Sequence, residues 1–210
     1  MSRHSRSVSP SWRRLVTGST MAVIVGTLAI TTPAARETGE IVPASVPGAL
    51  QVPAGHTFAM IASATGTQNY ICLVASGGFA WTFLGPQATL FDAGGGQIAT
   101  HFLSPNPNQG GAARPTWQDS ADTSAVWAVA IATYADADYV DPGAIPWLLL
   151  RVVGSQAGPS GGQTLSQTTY IQRVNTVGGV APASGCSDAL DIGKRALVPY
   201  TTDYVFYRAL

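Results

Sequence analysis

The chain has 210 residues, 46 % of them hydrophobic and only 10 % charged. That is long enough for a packed domain and too apolar for a disordered one. Its formal charge of zero hides an asymmetry: Arg3, Arg6, Arg13 and Arg14 all lie in residues 1–35, which hold no acid, leaving seven basic against eleven acidic residues, a net charge of −4. An acidic, charge-poor body without a Lys/Arg cluster argues against nucleic-acid binding and against an electrostatic membrane anchor.

Residues 1–35 read as an export signal. A basic start precedes an apolar stretch from Leu15 to Ile30, and small residues stand at Ala34–Ala35. Glycines, threonines and serines in that stretch make a poor permanent span. "SWRRLV" loosely resembles a twin-arginine signal, and general secretion fits as well. The expectation is a secreted, extracellular protein without a permanent membrane anchor. Residues 36–52 are a Pro/Gly-rich extended lead-in, and residues 53–210 a single β-rich domain.

Short apolar or alternating runs follow at a spacing of about ten residues: "TFAMIAS" from Thr57, "QNYICLV" from Gln68, "FAWTFL" from Phe79, "ATLFD" from Ala88 and "QIATHFL" from Gln97. "ATG", "ASGG", "GPQ" and "AGGG" between them are turn chemistry. "SPNPNQGGAARP" reads as a loop. "AVWAVAIATYA" from Ala125 is a strand by its β-branched residues, and "DADYVDPGAIP" an acidic loop. "WLLLRVVG" from Trp147 is a buried strand or short helix, "DALDIGKR" from Asp188 a helical turn, and "ALVPYTTDYVFYRAL" a closing strand. Many short strands without helical alternation predict a mainly β, antiparallel sandwich or barrel with long loops.

Cys72 and Cys186 are the two cysteines. Export predicts that they form a disulfide. Two free buried thiols or a metal site are the rival readings, and thiols set this far apart without a nearby histidine pair do not make a zinc pattern.

No G-x-S-x-G elbow occurs. Beyond residue 35 only His56 and His101 could serve a triad or an acid–base pair, and Asp92 precedes His101 across the "AGGG" turn. Asp92 and His101 are therefore catalytic candidates, against a plainer reading of His101 as structural. No metal-ligand spacing appears, and "DADYVD" lacks the glycine and distal glutamate of a calcium loop. The glycines of "AGGGQIAT" join two strands rather than opening a helix, which argues against a dinucleotide cofactor; none is expected.

Aromatic residues are many for so polar-poor a chain, and core packing accounts for most. Trp117, which follows a polar stretch in "RPTWQD", is the exception expected to meet a glycan or another flat ligand. The segment "TTYIQRVNTVGG" from Thr168 sets Tyr170, Gln172 and Val174 on one face and Ile171, Arg173 and Asn175 on the other. A buried arginine needs a partner, with Asp92, Asp119 and Asp203 as the available acids or several carbonyls in their place. Gln172, Arg173 and Asn175 either pin loops or line a pocket.

"PTWQD", "GAIPWLLLRVVG", "TTYIQRVNTVGGVAP" with its following "GC", and "VPYTTDYVFYRA" together resemble the secreted bacterial and fungal family catalogued as domain of unknown function 3455, over Val52 to Ala209. The pattern of that family includes a cysteine at Cys72, the "TH" of Thr100–His101, the "PTW" of Pro115–Trp117 and the "QRVNTVGG" of Gln172–Gly179. This chain departs from it in the longer link between His101 and Pro115. The resemblance implies an exported, mostly β domain with no established reaction. A malate dehydrogenase label carried by some relatives finds no support in these residues. The leading expectation is a monomer that binds a glycan, a cell-envelope surface or a small molecule. The alternatives are a cofactor-independent hydrolase or cyclase/isomerase using His101 with a carboxylate, and a structural cell-envelope or spore-surface protein.

Overall fold

The computed structural model describes residues 45–210; the expected export signal at 1–35 and the start of the expected lead-in lie outside the described residues. Eight antiparallel strands run in chain order and close on themselves: β1 (His56–Ala75), β2 (Gly78–Phe91), β3 (Gln97–Asn106), β4 (Ala112–Asp119), β5 (Ala125–Tyr134), β6 (Trp147–Gln156), β7 (Thr168–Gly178) and β8 (Arg195–Ala209). Closure pairs β1 with β8 from His56↔Ala209 to Ile71↔Arg195 and leaves no edge strand. The expected sandwich-or-barrel is a barrel.

Two expected turns are not turns. "ATG" lies inside β1 and "GPQ" inside β2, so four short runs become two long strands. The cause is backbone proximity. A Cβ on Gly66 would press into the Gln87 carbonyl oxygen and Ala88, so glycine lets β1 and β2 run tightly together where the sheet coils. At Gly85, with φ 146°, β2 carries an extra residue and a bulge opposite Asn69/Tyr70. Likewise most of "SPNPNQGGAARP" is strand. β3 runs on to Asn106, and left-handed Gly110 and Gly111 turn the chain into β4.

An eight-stranded barrel has an interior just wide enough for side chains to fill. One end is filled by alternating small and large residues: Ala62, Ala64, Ala88, Ala99 and Ala128 face Leu90, Val126, Ile171 and Phe206. A second apolar cluster lies outside the wall. There Leu50 of the lead-in and Val140 cover Trp147, Leu149, Val174 and Val205. β6 is thus covered on both faces, which is why its sequence is continuously apolar rather than alternating.

The disulfide forms as expected. Cys72 near the end of β1 bonds Cys186 in the β7–β8 connection, with Cα atoms 5.4 Å apart. Backbone bonds from Cys72 N to Lys194 O and from Gly193 N to Cys72 O hold the same connection. No helix among the described residues is long and apolar enough to cross a membrane.

Candidate ligand-binding cavity

Inward alternation brings residues from seven strands to a cavity of about 120 Å³ toward the other end of the barrel. His101 of β3 and Trp117 of β4 are register partners, so their side chains stand side by side. The rings stack at 4.1 Å with planes 14° apart. Tyr204 of β8 meets both edge-on, at 5.1 and 5.3 Å. Arg173 of β7 is register partner to Tyr204 and to Leu148 of β6. Gln68 of β1 and Pro86 of β2 close the ring, and Phe83, 48 % exposed, stands at the mouth.

The protonation states follow from burial. His101 is buried, and its Nδ1 lies 2.9 Å from the Thr116 carbonyl oxygen, which can only accept. Nδ1 therefore carries the hydrogen. Burial pushes the imidazole pKa down to about 3; the Thr116 bond opposes this and the Arg173 charge adds to it. His101 is thus neutral, with Nε2 an acceptor. Burial also raises the Tyr204 hydroxyl well above its ordinary value, and that of Tyr200, 3.4 Å away, rises for the same reason. Both remain protonated near neutral pH.

Arg173 supplies the charge of the cavity. Its Nε and Nη2 donate to the Pro146 carbonyl oxygen at 3.2 and 2.6 Å. No carboxylate meets it: among the described residues the ion pair found is Lys194 with Asp191. Its three expected acids are engaged elsewhere. Asp92 accepts from Gly96 N, Asp119 from Ala121 N and Asp122 N, and Asp203 from Ser63 Oγ and Asn175 Nδ2, all at 2.8 Å. Gln68 and Trp117, which line the same cavity, each carry a buried donor, Nε2 and Nε1, without a hydrogen-bond partner; the Gln68 side chain also bears on the Tyr200 hydroxyl and opposes its rise. A third such donor, Trp147 Nε1, belongs to the outer cluster.

The residues singled out in the sequence divide between two faces of the wall. Trp117, Arg173 and His101 line the cavity together. Trp117 does so fully buried, as an interior residue rather than an exposed platform. Gln172 faces outward, where Nε2 donates to Leu50 O at 2.7 Å and Oε1 accepts from Tyr207 Oη at 2.8 Å, pinning the lead-in. Asn175, expected on the Arg173 face, leaves it through a bulge between Val174 and Val177; its φ is 53°, and it is exposed. Asp92 sits exposed in the β2–β3 turn, while the register partner of His101 on β2 is Ala88. The two do not form an acid–base pair. Gly178 and Gly179 admit the protein's own backbone: Gly179 N donates to Pro199 O at 3.0 Å, and Gly179 O accepts from Tyr70 Oη at 2.7 Å.

Gln68 and Tyr204 escaped the sequence reading. Gln68 left a signal, as the lone amide on the Tyr70–Cys72 face of an apolar strand. Tyr204 left none, being one aromatic of several in an alternating strand. Among the described residues no cluster of three metal-ligating side chains occurs.

Three separated stretches that carry the family resemblance, Thr100–His101, Pro115–Trp117 and Gln172–Gly179, each supply part of the cavity lining. No curated protein and no solved structure matches the chain. The model of one family matches from residue 53 to residue 208, the whole barrel but its last residue. On that match, this chain belongs to the family described as "Protein of unknown function (DUF3455)".

Proposed function

We propose that this protein is an exported binding module that takes a small molecule into the open end of its barrel. The observation that carries the reading is a mostly apolar cavity holding the Arg173 guanidinium without a carboxylate and two buried N–H groups without acceptors. Unpaired buried donors cost about 1–3 kcal/mol each, so a packed interior serving stability alone would not retain two of them in one place. A cavity of about 120 Å³ is close to the ~150 Å³ that accepts a benzene-sized guest, and smaller than the ~300–1,000 Å³ of larger ligand sites. The burial of Trp117 removes the exposed platform on which a glycan would stack, so a small molecule is favoured over a polysaccharide surface.

Export rests on the basic-then-apolar start and on the Cys72–Cys186 bond, which is a bond of oxidising compartments. The protein recovered from culture medium should begin near residue 36.

The test of binding is a small-molecule screen followed by the indole N–H signal of Trp117 in ¹H–¹⁵N spectra. A ligand of the cavity moves that signal saturably and competes with other hits. Leu148→Trp, which fills the cavity from β6, should abolish the effect while the barrel stays folded. Hits that leave the Trp117 signal unmoved, or that bind Leu148→Trp equally well, would place binding elsewhere and defeat the proposal.

A further inference from the structure

Resting on that reading, we infer that the ligand is a small carboxylate carried on a single-ring or similarly sized apolar body, its carboxylate held by Arg173, Gln68 and Trp117. The inference follows from what the cavity offers and what it withholds. It offers donors: the Gln68 amide and the Trp117 indole, both buried and unpartnered, beside a guanidinium whose fixed hydrogen bonds run to one backbone carbonyl. It withholds negative charge, since none of its lining residues is acidic. A half-buried cation lined by Trp117, Leu148, Leu150 and Tyr204 with no counter-ion carries part of the desolvation cost of a charge, and an incoming anion offsets it.

The size and wall of the cavity narrow the anion. A guanidinium fork takes a carboxylate or a phosphate bidentately, but a mostly apolar space of about 120 Å³ suits a singly charged carboxylate on an apolar body better than a more strongly hydrated phosphate. The remaining wall is apolar, with Phe83, Pro86, Pro115, Leu148 and Leu150, so the rest of the ligand is apolar too. The neutral His101 adds no charge. Its ring stacks on Trp117 and stiffens the donor that the ligand meets.

The test compares matched probes by calorimetry on the full-length mature protein: benzoate and cyclohexanecarboxylate against their amides and alcohols, with acetate and inorganic phosphate alongside. The carboxylates should bind at least about tenfold more tightly than their neutral partners, since a hydrogen bond to a charged group contributes about 1.5–3 kcal/mol. Benzoate should exceed acetate, and phosphate should trail both ring acids. Trp117→Phe and Gln68→Leu should each weaken benzoate about tenfold and weaken benzyl alcohol by clearly less, because the charged acceptor loses more with each donor. Gln68→Leu removes an unpartnered donor at nearly constant volume and should fold at least as well as the parent; Trp117→Phe also leaves a void in the core, so its fold is checked by urea unfolding before binding is compared; Arg173→Lys, which keeps the charge and loses the fork, provides a third comparison. On binding benzoate, the indole N–H of Trp117 should shift downfield as it gains an acceptor. Amides or alcohols binding as tightly as the acids, or phosphate binding more tightly, would overturn the carboxylate while leaving a cavity ligand in place. Failure of every probe to bind at millimolar concentration, in a cavity that also ignores a broader small-molecule screen, would overturn both.

Discussion

His101 makes the pH dependence of stability a direct measure of how dry the cavity wall is. In the unfolded chain its imidazole titrates at the ordinary value of 6.5, whereas in the barrel burial holds it near 3. Between those values the unfolded chain binds a proton that the folded chain refuses. The associated stability is therefore complete above pH 6.5 and is lost as pH falls toward 3. The groups facing the ring reinforce this: the Arg173 charge repels a second cation, and only the Thr116 carbonyl favours one. At 1.36 kcal/mol per pH unit, acidification from about pH 7.5 to about pH 4.5 should cost roughly 2.5 kcal/mol. His101→Asn is the control, because its amide can still donate to Thr116 O and cannot titrate. Urea unfolding of both proteins across that range, at constant ionic strength, gives the two slopes. Asp122 and Asp191, whose carboxylates are held well below their ordinary value by hydrogen bonds, are common to both proteins and cancel in the difference. Equal slopes would mean that His101 accepts its proton in the folded state, and the buried, neutral imidazole would have to be abandoned.

Other outcomes follow from single contacts. Replacing Cys72 and Cys186 together by serine opens a loop of sequence separation 114 and should lower stability by at most about 4–5 kcal/mol; an unchanged denaturant midpoint would show that the backbone bonds at Lys194 and Gly193 hold that connection unaided. Gly66→Ala should cost about 1–3 kcal/mol or more, because its Cβ would press on the Gln87 carbonyl oxygen and Ala88; a melting temperature matching the parent would show that β1 and β2 can separate freely there. Gln172→Leu strands Leu50 O and Tyr207 Oη and should cost about 2–4 kcal/mol, with limited proteolysis appearing first in residues 45–52. Cleavage elsewhere at the same rate would argue that the lead-in is held by Leu50 packing alone.

Where the sequence was legible, one periodicity governed one stretch. β5, β6 and β8 alternate or stay apolar according to what covers each face, and their spans were read nearly to the residue. Reading failed where the turn chemistry of glycine and proline serves a strand. "ATG" and "GPQ" look like breaks because their residues tolerate turns, yet in the barrel they permit close pairing and a bulge. That difference depends on the neighbouring strand, which no local window contains. Trp117 misled for a similar reason. A polar approach suggested exposure, but "PNQGG" from Pro107 is a short excursion between two strands, and the tryptophan after it returns to the interior.

The polar groups of β7 divide between the cavity and the outer face of the wall. Alternation alone places Gln172 and Arg173 on opposite faces, and it cannot say which face is inside. Closure of the barrel decides it. Gln172 falls under the lead-in, where Leu50 and Tyr207 satisfy both ends of its amide, so it has nothing left to offer a ligand. Asn175 is carried outward by the bulge and spends its amide on Asp203, which in turn is spent on Ser63. Those bonds remove the one acid of β8 that the register places beside β7, and they do so on the outer face. Arg173 is left inside with a carbonyl for a partner and no counter-ion. Its charge is felt at His101, Tyr70, Tyr200 and Tyr204, so the positive potential spreads through the cavity wall instead of being quenched at one contact. The scarcity of charge in this chain, which at the outset argued against nucleic acid, also leaves the cavity without an acid of its own, so that potential is open to an anion from outside.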